Sequence, residues 1–288
     1  MGEYPFSTQN QQIFNLSPMR QSNNLLLLTI LSIGAVIMLL PVAIVLVTSL
    51  TTAATISTGW HWPQTWTLAN YRSAWEQGHF IRAFANSAGV ALMVTALQIM
   101  TSALAGYALA RLSFPGRQTL LLFLIATLVI PFQVLVIPIF LVLKWGHLLN
   151  TYGALILPSA ANGFGILLLR QHFLTIPPEL EAAAALDGAT RWQILWRILL
   201  PLCRPALTAL FLFTFIGEWN DLFKPLVFTT RPELRTVQLT LTEFQEQYTN
   251  NWPLLMAAIG IATAPVVLLF IVGQRQFMRA IAGTGIKS

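Results

Sequence analysis

Few residues in this chain are of the kinds that make or break covalent bonds. Among 288 residues there are four histidines, one cysteine and ten acids. His61, His79, His147 and His172 stand apart from one another, and no pair has metal-ligand spacing, so no metal site is expected. A single thiol, Cys203, excludes an intrachain disulfide and a cysteine-based metal cluster. The three lysines are Lys144, Lys224 and Lys287, and none follows a glycine-rich phosphate loop, so this chain is not expected to bind ATP in that manner. The acids Glu233, Glu243 and Glu246 are too scattered to form an acid–base site, and no nucleophile-and-base set stands out. What remains is non-covalent chemistry: amides, carboxylates, a hydroxyl and aromatics set inside or beside apolar runs. These are Gln98, Ser102, Tyr107, Gln133, Asn162, Glu218, Trp219, Asn220 and Asp221. Such groups can hydrogen-bond a polar solute that passes through an apolar medium. They can equally tie one helix to another.

A second group of residues is set apart by its regularity. The stretch Pro177 to Pro201 is predicted to form two short helices joined by a turn. Thr175 is placed to cap the first, and Pro177 and Pro178 suit a first turn, where a missing N–H costs little. Glu179 and Glu181 meet the positive end of the helix dipole. Ala182 to Ala185, four strong helix formers, follow. Gly188 is expected to stop the helix in a left-handed conformation. Thr190, with Gln193 three residues on, reads as a capping box. Trp192, Leu195, Trp196 and Leu199 then form an apolar stripe, ended by Pro201. A short alanine-faced helix on a loop lets another protein approach its backbone closely; a surface helix with no partner has the same pattern.

The elements that must position these groups are membrane spans. Hydrophobic residues make up 56% of the chain and charged residues only 9%, against about 25% charged in a soluble domain. A span needs about 20 apolar residues. Six such runs are present, at 25–50, 84–110, 118–143, 154–173, 203–225 and 253–274. The first is too long for a signal-peptide core and no small-residue cleavage site follows it, so it reads as an uncleaved helix. The fourth is interrupted by Pro158, Asn162, Gly163 and Gly165, and Pro131 and Pro138 mark kinks in the third. Trp60, Trp62, Trp66 and Trp75 lie in the polar loop after the first span, as at a membrane–water boundary. The expected architecture is therefore an all-α membrane protein. It has a flexible tail at 1–24, one transmembrane domain at 25–280 and a short tail at 281–288. The formal net charge is +6, and the cations are divided between the two sides. With the amino terminus inside, ten Lys and Arg fall on the inner side and six on the outer, which puts both termini in the cytoplasm. Six acids offset the six outer cations, a balance that favours a neutral solute.

The loop then resembles a known pattern. Registered on Asp187-Gly188-Ala189, the residues Ala183, Ala184, Ile198, Leu200 and Pro201 match the EAA loop of ABC importer membrane subunits. One position departs from it: Ala182 occupies the place of the signature glutamate, and the acid stands one residue earlier, at Glu181. The stretch Phe215 to Leu226, with Trp219-Asn220-Asp221 at its centre, is similar to the fifth-span motif of maltose-type sugar importers. The ending Gly283 to Ser288 resembles their carboxyl-terminal tail. The resemblance covers about residues 25–288. It implies a cytoplasmic coupling helix between spans four and five that docks into a separate ATPase, with Glu181, Ala183, Ala184, Asp187 and Gly188 carrying the coupling. It implies a second, related permease, an ATPase dimer that holds ATP and Mg, and an extracytoplasmic solute-binding protein. It also implies alternating access for a sugar, polyol or glycosylated compatible solute across the bacterial inner membrane. The chain itself needs no cofactor and catalyses no reaction in this reading. The possible solute pathway comprises Gln98, Tyr107, Gln133, Asn162, Glu218, Trp219, Asn220 and Asp221. A stand-alone secondary carrier or channel is the alternative, but it should show paired repeats and ion-coupling acids, and it leaves the loop without a task.

Overall fold

The computed structural model describes the backbone of residues 18–52 and 65–285, and side chains within 26–52 and 65–274. Residues 1–17 of the expected tail, Trp60, His61, Trp62 and the last three residues lie outside these. The described chain is helical throughout, with no strand.

Helix α1 (Pro18–Ser49) is followed by α2 (Ala69–Gln77) and α3 (Phe80–Arg111). Next come α4 (Arg117–Thr127) and α5 (Phe132–Trp145), then α6 (Tyr152–Ile156), which runs on as a 3₁₀ turn to Ser159, and α7 (Gly163–Thr175). The loop region holds α8 (Pro178–Leu186) and α9 (Arg191–Leu202). The remainder is α10 (Arg204–Trp219), α11 (Phe223–Phe228), α12 (Val237–Gln247) and α13 (Trp252–Gly285). Two of the expected boundaries move. Pro18 begins α1, so residues 18–24 belong to a helix and not to the tail; proline suits a first helical turn. The last helix likewise continues through Gly285, past the expected tail boundary at 281.

Three helices are long and apolar enough to cross a membrane, and the number rises to six if each of three bent pairs is one span. The bends are sharper than a kinked single helix. The third expected span breaks by 104° between α4 and α5. Pro131 caps α5 in an extended conformation, and a residue before proline avoids the helical region, which ends α4 upstream. The fourth bends by 43° between Ser159 and Gly163, where Asn162 starts α7 by accepting the Phe164 N–H at 2.7 Å. The third bend, of 80°, separates the loop helix α9 from α10 at Cys203, the first residue of the fifth expected run. Pro205 has no N–H for the turn before it and forces this break. The sequence placed a stop at Pro201, yet the helix continues to Leu202. The segment Ile194–Leu199 is π-helical, a widening that accommodates proline where an α-helix would clash with it.

Helix α3 is the central post. At one end Phe80, Ala83 and Ala91 pack with Trp219, Phe244, Leu255 and Ala258. At the other, Tyr107 and Ala110 pack with Leu169, Phe173, Leu195 and Leu199. The crossing of α3 with α7 is close: a Cβ on Gly106 would come within 3.1 Å of the Arg170 amide nitrogen. Small residues permit such approach where apolar burial gives no net drive between helices. By contrast the 18-residue apolar window of α1 has no buried residue, and its leucines form an outward apolar surface alongside α13.

Candidate functional site

The loop forms as two helices. Pro177 takes the N-cap place of α8 in an extended conformation, and Pro178 opens the helix. Thr175 does not cap it. That residue ends α7, and its hydroxyl donates back to the His172 carbonyl at 2.8 Å, a bond the preceding helix offers first. The far end of α8 is a complete Schellman turn. Gly188 has φ +82°, the Ala189 N–H reaches the Ala184 carbonyl at 2.9 Å and the Gly188 N–H the Ala185 carbonyl at 3.1 Å. Only glycine adopts this geometry without strain. Asp187 stands at the C-cap with its side chain exposed. The capping box that starts α9 is present: Thr190 N–H donates to Gln193 Oε1 at 2.8 Å, and Gln193 N–H to Thr190 Oγ1 at 3.3 Å. The apolar stripe of α9 divides. Leu195 and Leu199 are buried, while Trp192 and Trp196 stay exposed and pack on each other with ring centroids 5.6 Å apart.

The two faces of α8 differ. Ala182, Ala183 and Ala185 are exposed, and Leu186 is 90% exposed. Ala184 packs on the buried cluster beneath. Glu181 lies on that inner side and pairs through Oε1 with Arg111 Nε at the end of α3.

A polar network occupies the opposite half of the bundle. Gln98 donates through Nε2 to the Ser159 carbonyl at 2.8 Å and accepts the Thr214 hydroxyl at 2.9 Å. Lys224 Nζ donates to Ser159 Oγ at 2.6 Å, pairs with Glu218 Oε2 at 2.5 Å and lies 3.2 Å from Asp221 Oδ2. The network joins the bend of the fourth span to the far end of the fifth. Asp221 Oδ1 accepts the Phe223 N–H at 2.9 Å and so starts α11. Trp219 is buried and donates its indole N–H to the Ala262 carbonyl of α13 at 3.1 Å. Asn220 is exposed and accepts from Gln238 Nε2 at 3.1 Å.

Of the eight expected pathway residues, five are therefore engaged inside the fold. Gln98, Glu218, Trp219 and Asp221 hold helices together. Tyr107 is buried against Phe173 at the α8 end. Gln133, Asn162 and Asn220 are exposed. The first two flank bends that touch: a Cβ on Gly163 would lie 3.0 Å from the Leu124 carbonyl and 3.1 Å from Thr127 Oγ1. Sequence reasoning missed Arg111, Ser159 and Thr214. It counted Lys224 as a loop cation, whereas its side chain is only 6% exposed. It also passed over Asn86, which donates to the Glu233 and Arg235 carbonyls at 2.7 and 2.8 Å and accepts the Tyr152 hydroxyl at 2.7 Å. The available signal was a polar Asn86-Ser87 pair inside an apolar run. Among the described residues no group of three or more His, Cys, Asp or Glu could hold a metal ion.

The described residues thus form a bundle of long and bent apolar helices with the short, exposed helix α8 between α7 and α9. The family model for the binding-protein-dependent transport system inner membrane component matches residues 98–283. The chain belongs to this family and is a multi-pass inner-membrane permease component of the ABC importer class. It is 35% identical over 256 residues to the sulfoquinovosyl glycerol transport system permease protein SmoH of Agrobacterium fabrum, covering 86% of this chain and 89% of that one. It is 34% identical over 226 residues to the arabinooligosaccharides transport system permease protein AraQ of Halalkalibacterium halodurans, covering 78% and 81%. The fold matches a chain in the crystal structure of a bacterial ABC transporter that imports the acidic polysaccharide alginate. The TM-score is 0.79 at 24% identity, covering 91% of this chain and 98% of that one.

Proposed function

We propose that this chain is one permease half of an ATP-driven importer for a sugar or sugar-like solute. A second, related permease forms the other half, two ATPase copies holding ATP and Mg act from the cytoplasm, and an extracytoplasmic binding protein delivers the solute. Both termini and α8 face the cytoplasm; the ten-to-six division of Lys and Arg supports this orientation. Relatives named for arabinooligosaccharides and sulfoquinovosyl glycerol support the solute class. The near-neutral balance on the outer side favours an uncharged member of it.

The observation that carries the reading is the outward face of α8. It presents small side chains and Leu186, and it ends in the Schellman turn at Gly188, beside which there is open space. Docking of α8 into an ATPase cleft lets ATPase closure move α8 and so switch the bundle between inward-facing and outward-facing states. Ala183, Asp187 and Gly188 form or shape that docking surface, Ala184 seats it on the core, and Glu181 belongs to the same coupling unit. Gln133, Asn162 and Asn220 are the pathway candidates left exposed. Gln98, Glu218, Trp219 and Asp221 hold the pathway's frame.

The test is to extract the tagged chain from its host in mild detergent and assay ATP hydrolysis in what co-purifies, beside a Gly188→Val variant. ATPase activity that accompanies the wild type and is lost or uncoupled in the variant supports the reading. A wild-type chain that purifies alone in several detergents returns the stand-alone carrier.

A further inference from the structure

Of the three acids in the loop, Glu179 and Asp187 are exposed and Glu181 is not. On a helix, residues three apart share a face. Glu181 and Ala184 form the inward face of α8, and Ala182, Ala183 and Leu186 the outward one. The Glu181 and Arg111 side chains are only 16% and 13% exposed. Arg111 closes a second contact with the same guanidinium: Nη2 donates to the Ile176 carbonyl at 2.5 Å, at the chain's entry to α8. The post that bears Arg111 is itself secured. Arg117 donates to the Ala110 and Leu112 carbonyls at 3.2 and 3.4 Å, and Arg170 of α7 to the Leu109 carbonyl at 3.3 Å. Two arginines, Arg117 and Arg170, thus satisfy the carbonyl end of α3, where cations also suit the helix dipole.

We infer that Glu181 is a positioning residue that moors α8 to α3 through Arg111, and that the surface offered to the ATPase is the outward one around Leu186 and Asp187, without Glu181. The inference rests on the reading of α8 as the ATPase-docking helix. It removes the need for an acid at Ala182. Arg111 thus holds α8 in two ways: by a buried charge contact with Glu181, in which Nε and Oε1 lie close without forming a hydrogen bond, and by the hydrogen bond from Nη2 to the Ile176 carbonyl. Movement of α8 is therefore delivered to the end of the helix that runs through both buried clusters and carries Gln98 and Asn86.

The experiment compares Glu181→Gln, Arg111→Met and the charge exchange Arg111→Glu with Glu181→Arg, each in the assembled importer. Three quantities are read: ATPase co-purified, ATP hydrolysed, and solute imported per ATP. The single variants should keep the ATPase and import about tenfold less solute per ATP, as expected when one partner of a largely buried pair is removed. The exchange should restore most of the import. The inference is overturned if Glu181→Gln releases the ATPase while Arg111→Met does not, if neither single variant changes import per ATP, or if the exchange variant inserts but restores nothing. If the exchange variant does not insert, Arg111→Cys with Glu181→Cys in a Cys203→Ser background decides: cross-linking by a short bifunctional thiol reagent that spans the lost side chains supports the mooring, and its absence overturns it. A wild-type chain with no ATPase at all would fail the underlying reading instead, so the two failures are distinct.

Discussion

The two ends of the bundle use charge in opposite ways. At the α8 end, one ion pair ties a short helix to the central post, and the rest of that helix exposes alanines and Leu186 with an acid at each end, Glu179 and Asp187. At the other end, Lys224 is enclosed by Glu218, Asp221 and Ser159, and Gln98 extends the same network to Thr214. A buried cation with two carboxylates is not a cheap source of stability, because desolvation offsets the attraction. It does fix one arrangement of the two bent spans it joins. Under the proposed function one end is shaped to be handled by another protein, while the other holds its own geometry.

Lys224→Met should have the largest effect. It leaves two carboxylates uncompensated in the bundle, a loss of about 3–5 kcal/mol. The thermal midpoint of the purified complex should fall sharply, or the chain should fail to accumulate in membranes. If Lys224→Met is tolerated, the network does not secure the frame. Gln98→Leu comes next. It strips the Ser159 carbonyl and the Thr214 hydroxyl of their partner, at about 1–3 kcal/mol for buried groups left unmade; denaturation followed with a fluorescent thiol probe on Cys203 reads this. Gly188→Val forces a branched residue into φ +82° and costs at least about 1–2 kcal/mol locally. Because the strain sits at an exposed turn, global stability should change less than ATPase retention does. Thr190→Ala removes the capping box for about 1 kcal/mol, and import should fall by less than in the Gly188 variant. A reversal of this order between the Lys224 and Gly188 variants in stability would break the comparison.

Some of this was legible in the sequence because it depends on local chemistry. Gly188 after a run of alanines and Thr190 three residues before Gln193 specify their turn and cap through neighbours in the chain. The six apolar runs were legible by length. The sharp bends were not, because a proline announces a missing N–H but not the angle that packing imposes. Pro131 and Pro201 mark where the chain departs from an α-helix, but neither the 104° of the α4–α5 break nor the π-helical form of Ile194–Leu199 can be read from them. Glu218 and Asp221 were legible as acids that could pair with a nearby Arg or Lys in a structural role, and Lys224 is that partner; its burial was not legible, since it lies where an apolar run was read as ending. The Arg111–Glu181 contact spans seventy residues of chain, and no local pattern encodes it.

The account's central claim is that the outward face of α8 meets an ATPase. The most direct measurement is a cross-link from Leu186→Cys in a Cys203→Ser background, made in native membranes with a short bifunctional thiol reagent. The account predicts a product containing this chain and the ATPase, weakened when Gly188 is also changed to valine. If Cys at 186 reacts with a membrane-permeant thiol label yet yields no such product, α8 is a surface helix without a partner and the coupling role is contradicted.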